Sequence, residues 1–179
     1  MKLFGRFRRV HLHALLALVG LLLARPTAPA LVAGAALVLA GLGLRLWAAG
    51  LLDKGGPLCT DGPYRYLRHP LYLGSVIGAV GFAVMMHVIW GWLVILPLFL
   101  LLYTAQVFAE ERHLRNLYGP AHAEFAAAVP LLLPWPGRVA QAQGRPWRFS
   151  QAIANREPHH IVFTLGLVAL FVVKWLLVR

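Results

Sequence analysis

Five apolar runs, at residues 10–24, 28–52, 71–86, 88–109 and 160–178, occupy most of this 179-residue chain and decide what it can fold into. Crossing a hydrocarbon core takes about 20 apolar helical residues, because backbone N–H and C=O groups in lipid must satisfy one another. Runs of this length predict an all-α, polytopic transmembrane bundle of about five spans. The first and third runs are short and need flanking residues or a locally thinner bilayer to span. Composition agrees, with 60% hydrophobic and 13% charged residues and a mean hydropathy of +0.70, far from the balance of a soluble domain.

Seventeen Lys and Arg against six acids give a net charge of +11. In a soluble protein such an excess points to nucleic acid. Here its distribution among the loops explains it, and no nucleic-acid partner is expected. Lys2, Arg6, Arg8, Arg9, Lys54, Arg65, Arg68, Arg112, Arg115, Arg138, Arg145, Arg148 and Arg156 fall on one face, and Arg25 and Arg179 on the other. The rule that basic loops stay inside assigns the first face to the cytoplasm. Five spans then place the N-terminus in the cytoplasm and the C-terminus outside, in a cytoplasmic (inner) membrane. Arg45 and Lys174 lie near span ends and read as snorkelling side chains. Residues 1–30 also have the basic, Leu-rich, Ala-Pro-Ala look of an export signal, but further spans follow, so they read as a first span. The lone Cys59 excludes an intramolecular disulfide and reads as a small filler.

Ala30, Gly34, Gly41 and Gly43 in the second span, and Gly74, Gly78 and Gly81 in the third, have the helical spacing that permits close backbone approach. Gly41-Leu42-Gly43 therefore reads as packing and not as a dinucleotide loop, which excludes a soluble Rossmann-type enzyme. A tight turn near His87 joins the third and fourth spans as a helical hairpin. Residues 53–70 form a polar loop with turn signals at Gly55-Gly56-Pro57 and Asp61-Gly62-Pro63. Pro70 suits a first helical turn, placing Arg68 and His69 beside free amides that favour an anion. The fourth helix runs on through Glu110-Glu111-Arg112-His113-Leu114 and stops at Gly119-Pro120. The prolines of 129–135 predict an extended segment against the bundle, and the basic, aromatic stretch 136–158 predicts a membrane-surface segment. The whole reads as one membrane domain: an N-terminal helical hairpin (1–52), a motif core (53–135), and a surface segment with a last span (136–179).

The motif core carries Gly62-Pro63-Tyr64-Arg65-Tyr66-Leu67-Arg68-His69-Pro70-Leu71-Tyr72-Leu73-Gly74. After the hairpin come Glu110-Glu111, Tyr118-Gly119, and Val129-Pro130 with Pro134. These two blocks, in this order, resemble the isoprenylcysteine carboxyl methyltransferases, relatives of the phospholipid N-methyltransferases. The resemblance covers residues 62–134. It implies an integral membrane enzyme with a cytoplasmic pocket, formed by loops and helix ends, that binds S-adenosylmethionine and releases S-adenosylhomocysteine. The implied acceptor is a lipid or prenylated molecule arriving from the membrane. Carried over, Tyr64, His69, Leu71, Tyr72, Gly74, Glu110 and Glu111 surround the cofactor, while Arg68 lies towards the reacting groups and shares the catalytic assignment with Glu111. His122 and Phe125 stand where many relatives have aromatic hydroxyl residues, which bears on substrate contacts.

The chemistry of the residues agrees. S-adenosylmethionine carries a sulfonium and an ammonium beside a carboxylate, so its pocket wants acids for the cations and an Arg or amides for the anion. Methyl transfer is an in-line displacement in which charge on sulfur is lost, so alignment and water exclusion supply much of the catalysis. A carboxylate acceptor needs Arg68 to orient it, whereas an ammonium acceptor needs a base such as Glu111 or His69. Plainer roles stand beside these. Glu111 can pair with Arg115 along its helix, Glu110 can capture Arg68, His69 can cap or fill, and the tyrosines can anchor the interface. His11 with His13, His113 with His122, and His159 with His160 lack the spacing of a metal motif. Two other functions fit parts of the pattern: a nicotinamide-dependent sterol-type reductase, and a non-catalytic module that binds anionic lipid through its basic face.

Overall fold

The computed structural model describes residues 15–178. Helix α1 covers 15–23, α2 Ala28–Ala49, α3 Pro70–Met86, α4 Leu96–Tyr118, α5 Pro120–Ala128, α6 Phe149–Ala154 and α7 Glu157–Val178. A 3₁₀ turn, Gly62–Arg65, precedes α3 and a π turn, Gly91–Ile95, leads into α4. The described residues contain no strand, in keeping with an all-α bundle.

Proline and glycine punctuate these elements. Pro29, Pro70, Pro97 and Pro120 lie in the first turns of α2, α3, α4 and α5, where a missing N–H costs little. Pro97 has a further effect, because it cannot donate to the carbonyl of Leu93 and its ring crowds that group. The wider π turn at Gly91–Ile95 absorbs the mismatch while the chain stays helical. His87, with φ 48°, closes α3 in the left-handed region and forms the expected turn.

Among the described residues, three helices are long and apolar enough to cross a membrane: Ala28–Ala49, Gly91–Tyr118 and Glu157–Val178. The 17-residue α3 rises about 25 Å, short of a hydrocarbon core of about 30 Å. The first expected span lies partly outside the described residues. At 28 residues, Gly91–Tyr118 exceeds the core thickness. Twenty residues, about 30 Å, carry it from Gly91 to the neighbourhood of Glu110, so the paired acids emerge at the boundary. Outward-facing Leu101, Val162 and Leu177 are exposed, the apolar belt of a bundle solvated by lipid.

The closest packing is between α2 and α3. A Cβ on Gly74 would stand 2.6 Å from both the Gly41 carbonyl oxygen and Arg45 Cγ, and one on Gly81 would stand 2.6 Å from the Gly34 carbonyl oxygen. Glycines at these levels let the backbones touch, as expected from their spacing. A Cβ on Gly43 or Gly78 would meet nothing within 4 Å, although the Gly78 amide N lies 3.0 Å from where a Cβ on Gly41 would stand. Leu31, Val38, Leu42, Met85, Met86 and Phe171 then join α2, α3 and α7 in one core.

The stretch after Trp135 has backbone partners that its composition does not reveal. It packs over the 50–65 loop: Ala140 N donates to Arg65 O (2.9 Å), Arg148 N to Gly50 O (2.9 Å), and Asn155 Nδ2 to Ala49 O and Leu52 O (2.8 and 2.7 Å). Asp61 Oδ1 accepts from the amides of Gln143 and Gly144, each at 2.8 Å. Turn-rich segments leave backbone groups unpaired, and each segment here satisfies the other. Trp147, Phe149 and Ile153 remain exposed at the edge of this strap.

Candidate active site

The first turn of α3 and the emerging end of α4 meet at one end of the bundle, opposite the end where Arg25 N donates to Met86 O. Backbone pairing fixes the entry to α3, with Arg68 N donating to Pro130 O (2.9 Å) and His69 N to Leu131 O (3.2 Å). The proline-bearing 129–135 segment thus lies against residues 68–69 and is non-helical as its prolines require, but it bends at residues 131–133 and does not run extended. The amides of Tyr72 and Leu73 turn back to His69 O. Most amides at this helix start are therefore taken, and what it offers an anion comes mainly from side chains.

Glu111 is the hub. Arg68 NH1 donates to its Oε2, His69 Nε2 lies 2.7 Å from its Oε1, and His122 Nε2 lies 3.6 Å from the same oxygen. A carboxylate can only accept, so His69 carries its proton on Nε2 and leaves Nδ1 bare. Burial holds the His69 pKa below its ordinary value, a stronger effect here than the opposing pull of Glu111, so the ring is neutral near pH 7. Glu110 faces another way and accepts from Tyr72 Oη at 2.9 Å. The acids thus take different partners, neither of them the Glu111–Arg115 or Glu110–Arg68 pairing that sequence allows.

His122 lies outside the residues that the resemblance assigns to the cofactor. It is 1% exposed and stands beside Glu111 because Gly119, with φ 51°, breaks α4 and starts α5 at once, folding residue 122 back over the site. The Gly-Pro pair signals the break but not the direction of the return. Tyr64 packs in a cluster with Ala48, Leu51 and Cys59, and its hydroxyl is buried without a partner. Burial pushes its pKa well above the ordinary phenol value. The side chain of Leu71 packs on this cluster while its carbonyl accepts from Arg45 NH1 at 3.0 Å. Gly74 sits at the α2–α3 contact. The structure therefore brings Arg68, His69, Tyr72, Glu110 and Glu111 together, and places Tyr64, Leu71 and Gly74 on their α2 side.

Arg45 does not snorkel, as its position near a span end suggests, but is anchored. Its Nε and NH2 donate to Glu157 Oε1 and Oε2 (2.7 and 2.9 Å), and NH1 also reaches Ser75 Oγ at 2.6 Å. Lys174 likewise donates to Leu21 O and Leu22 O (2.5 and 2.7 Å) at the end of α1. Both cations are used inside the bundle, where partners are worth more than distant water.

A ladder of rings leads away from the charged cluster. His69 and Tyr72 meet edge to face at 5.5 Å, Tyr72 and Tyr103 do the same at 5.5 Å, and Tyr103 stacks on Phe99 at 4.3 Å. Tyr103 and Phe99 line a cavity of about 390 Å³ between the helices, whose wall is otherwise mostly apolar. That volume is within the range of about 300–1,000 Å³ usual for small-molecule sites.

Arg68 Nε and His122 Nε2 are buried without hydrogen-bond partners, on two sides of one carboxylate. Unmet nitrogens beside paired acids suit a ligand that bears both signs, and S-adenosylmethionine is such a ligand. Among the described residues no cluster of three or more His, Cys, Asp or Glu could hold a metal ion.

An apolar helical bundle with a charged cluster at one end defines an integral membrane protein. The chain belongs to the phospholipid methyltransferase family, whose model matches residues 29–121, just over half of its length. It is similar to the cobalt-zinc-cadmium resistance protein CzcN of Cupriavidus metallidurans, at 34% identity over 69% of this chain and 56% of that protein. Phosphatidylethanolamine N-methyltransferase B of Dictyostelium discoideum is 36% identical over 33% of this chain and 30% of that protein. Protein-S-isoprenylcysteine O-methyltransferase of Schizosaccharomyces pombe is 28% identical over 55% and 42%. The chain spans about half the length of the curated relatives it matches first. No solved structure matches it. The family and these relatives bear out the resemblance read from the two motif blocks, and nothing in them supports a nicotinamide-dependent reductase or a non-catalytic lipid-binding module.

Proposed function

We propose that this protein transfers a methyl group from S-adenosylmethionine to the polar head of a lipophilic acceptor at the cytoplasmic face of the membrane. The observation that carries this reading is continuity: one ring ladder joins the cluster around Glu110 and Glu111 to an apolar cavity inside the bundle. A polar reactant and an apolar one can thus be held side by side, which supplies the proximity that a two-substrate reaction needs.

Bound there, S-adenosylmethionine supplies the electrophilic methyl group. Glu110 and Glu111 offer carboxylates to its cationic groups, and Arg68 with His122 offers donors to its carboxylate. Arg68 and His69 also fix the Glu111 carboxylate, so the charge facing the ligand is oriented before binding. Tyr72 does the same for Glu110. For a carboxylate acceptor, Arg68 is the orienting cation. For an amine acceptor, the neutral ring of His69 is better placed to take a proton than Glu111, whose oxygens already accept from Arg68 and His69.

Lipid mass spectrometry after incubating purified protein with methyl-labelled S-adenosylmethionine and a total membrane lipid extract tests the reading and identifies the acceptor. We expect a labelled amphiphile whose mass gain is one or more methyl groups. An extract left unlabelled by folded protein contradicts the proposal.

A further inference from the structure

The family match ends at residue 121, yet one wall of the cavity is built from α7, beyond it. His160, Thr164, Leu167 and Phe171 recur every three or four residues and line the cavity from a single face. Residues on the opposite face of α7, such as Val162, Leu165 and Val173, are exposed to lipid. The helix is pinned at both ends by charge. Near the site, the two-point Arg45–Glu157 pair ties its first turn to α2 and, through Leu71 O and Ser75 Oγ, to the start of α3. At the far end Lys174 holds α1 through Leu21 O and Leu22 O. A helix held at both ends in this way keeps a fixed register against the cavity.

We propose that α7 is the specificity wall for the acceptor's hydrocarbon tail, and that Phe171, packed on Phe82 at the end of the cavity away from Arg45, sets the tail length the site accepts. The two rings lie 5.8 Å apart, and Phe171 is 2% exposed. From His160 to Phe171 the helix rises about 16 Å, which gives the tail a run alongside it. The occupant is a single hydrocarbon chain, because the α7 wall is apolar from Leu167 to Phe171 while the polar groups Arg45, Ser75, Tyr103 and His160 gather at the end joined to the ring ladder. This inference rests on the proposed transfer to a lipophilic acceptor and adds which part of the chain selects it.

The test uses the full chain in lipid nanodiscs. S-alkyl-N-acetylcysteines and alkylphosphoethanolamines with octyl to octadecyl tails serve as acceptors, and a hexadecyl member with a diazirine at the tail end serves as a photoprobe. We expect the photoprobe to label α7 between residues 160 and 171, and Phe171→Ala to raise the ratio of long-tail to short-tail turnover at least about tenfold, the lower end of what a single methylene is worth in a hydrophobic pocket. Phe171→Leu, a smaller change, should move the ratio the same way and keeps the test readable if the Ala variant does not fold. Labelling confined to lipid-facing positions such as Leu101, or tail profiles identical in wild type and both variants, overturns the inference while leaving methyl transfer standing. Labelling of α7 without methylation of any acceptor sinks the transfer reading and supports α7 as the tail wall.

Discussion

His69 shows how one residue can serve structure and chemistry together. It is 4% exposed, precedes Pro70, and gives its single ring proton to Glu111, so its neutral form is the one the fold stabilises. Its folded pKa lies below the ordinary 6.5, so below that pH the unfolded chain binds the extra proton more readily. Stability from this group is therefore full at neutral pH and declines as pH falls from about 6.5 towards the folded pKa, by at most about 1.4 kcal/mol per unit for one proton. Thermal unfolding of wild type and His69→Gln between neutral pH and about pH 5 checks this. The wild type should lose more stability on acidification than the variant, and parallel profiles would rule the assignment out.

Among the elements, α2 and α3 act as one unit because Gly34, Gly41, Gly74 and Gly81 remove the side chains that would hold them apart. A methyl at residue 74 meets the Gly41 carbonyl and the Arg45 stem, so Gly74→Ala should cost about 1–3 kcal/mol, the usual range for overpacking. Gly78→Ala, in open space, should be neutral or stabilising. Unfolding midpoints measured side by side decide it, and equal midpoints would show that the contact does not matter. Spacing alone reveals that glycines face a neighbouring helix. It cannot tell Gly74 from Gly78, since that depends on which turn meets the partner backbone. Arg45 and Glu157 are equally opaque: 112 residues separate them, and an Arg near a span end reads the same whether it reaches water or an acid. The strap over Asp61 is hidden for a similar reason, because pairing between two irregular segments leaves no periodic trace in sequence.

For the molecule as a whole, hydropathy and the two motif blocks are enough to reveal a helical membrane protein and the family to which it belongs. The blocks are local, and each carries its own helix start or helix end, so Arg68, His69, Tyr72, Glu110 and Glu111 are legible without their contacts. The placement of His122 and the cavity wall on α7 are not, because they depend on a reversal at Gly119 and on a helix beyond the motifs. Every functional step proposed for this chain needs the acids at the end of α4 and the cations facing them to form a cofactor site. Isothermal titration of S-adenosylhomocysteine into wild-type and Glu111→Gln protein probes that site without any acceptor present. We predict saturable binding to the wild type, weakened at least about tenfold in the variant, as loss of a preorganised charged contact entails. Absence of binding to folded wild type, or equal affinity in the two proteins, would show that no such site exists there.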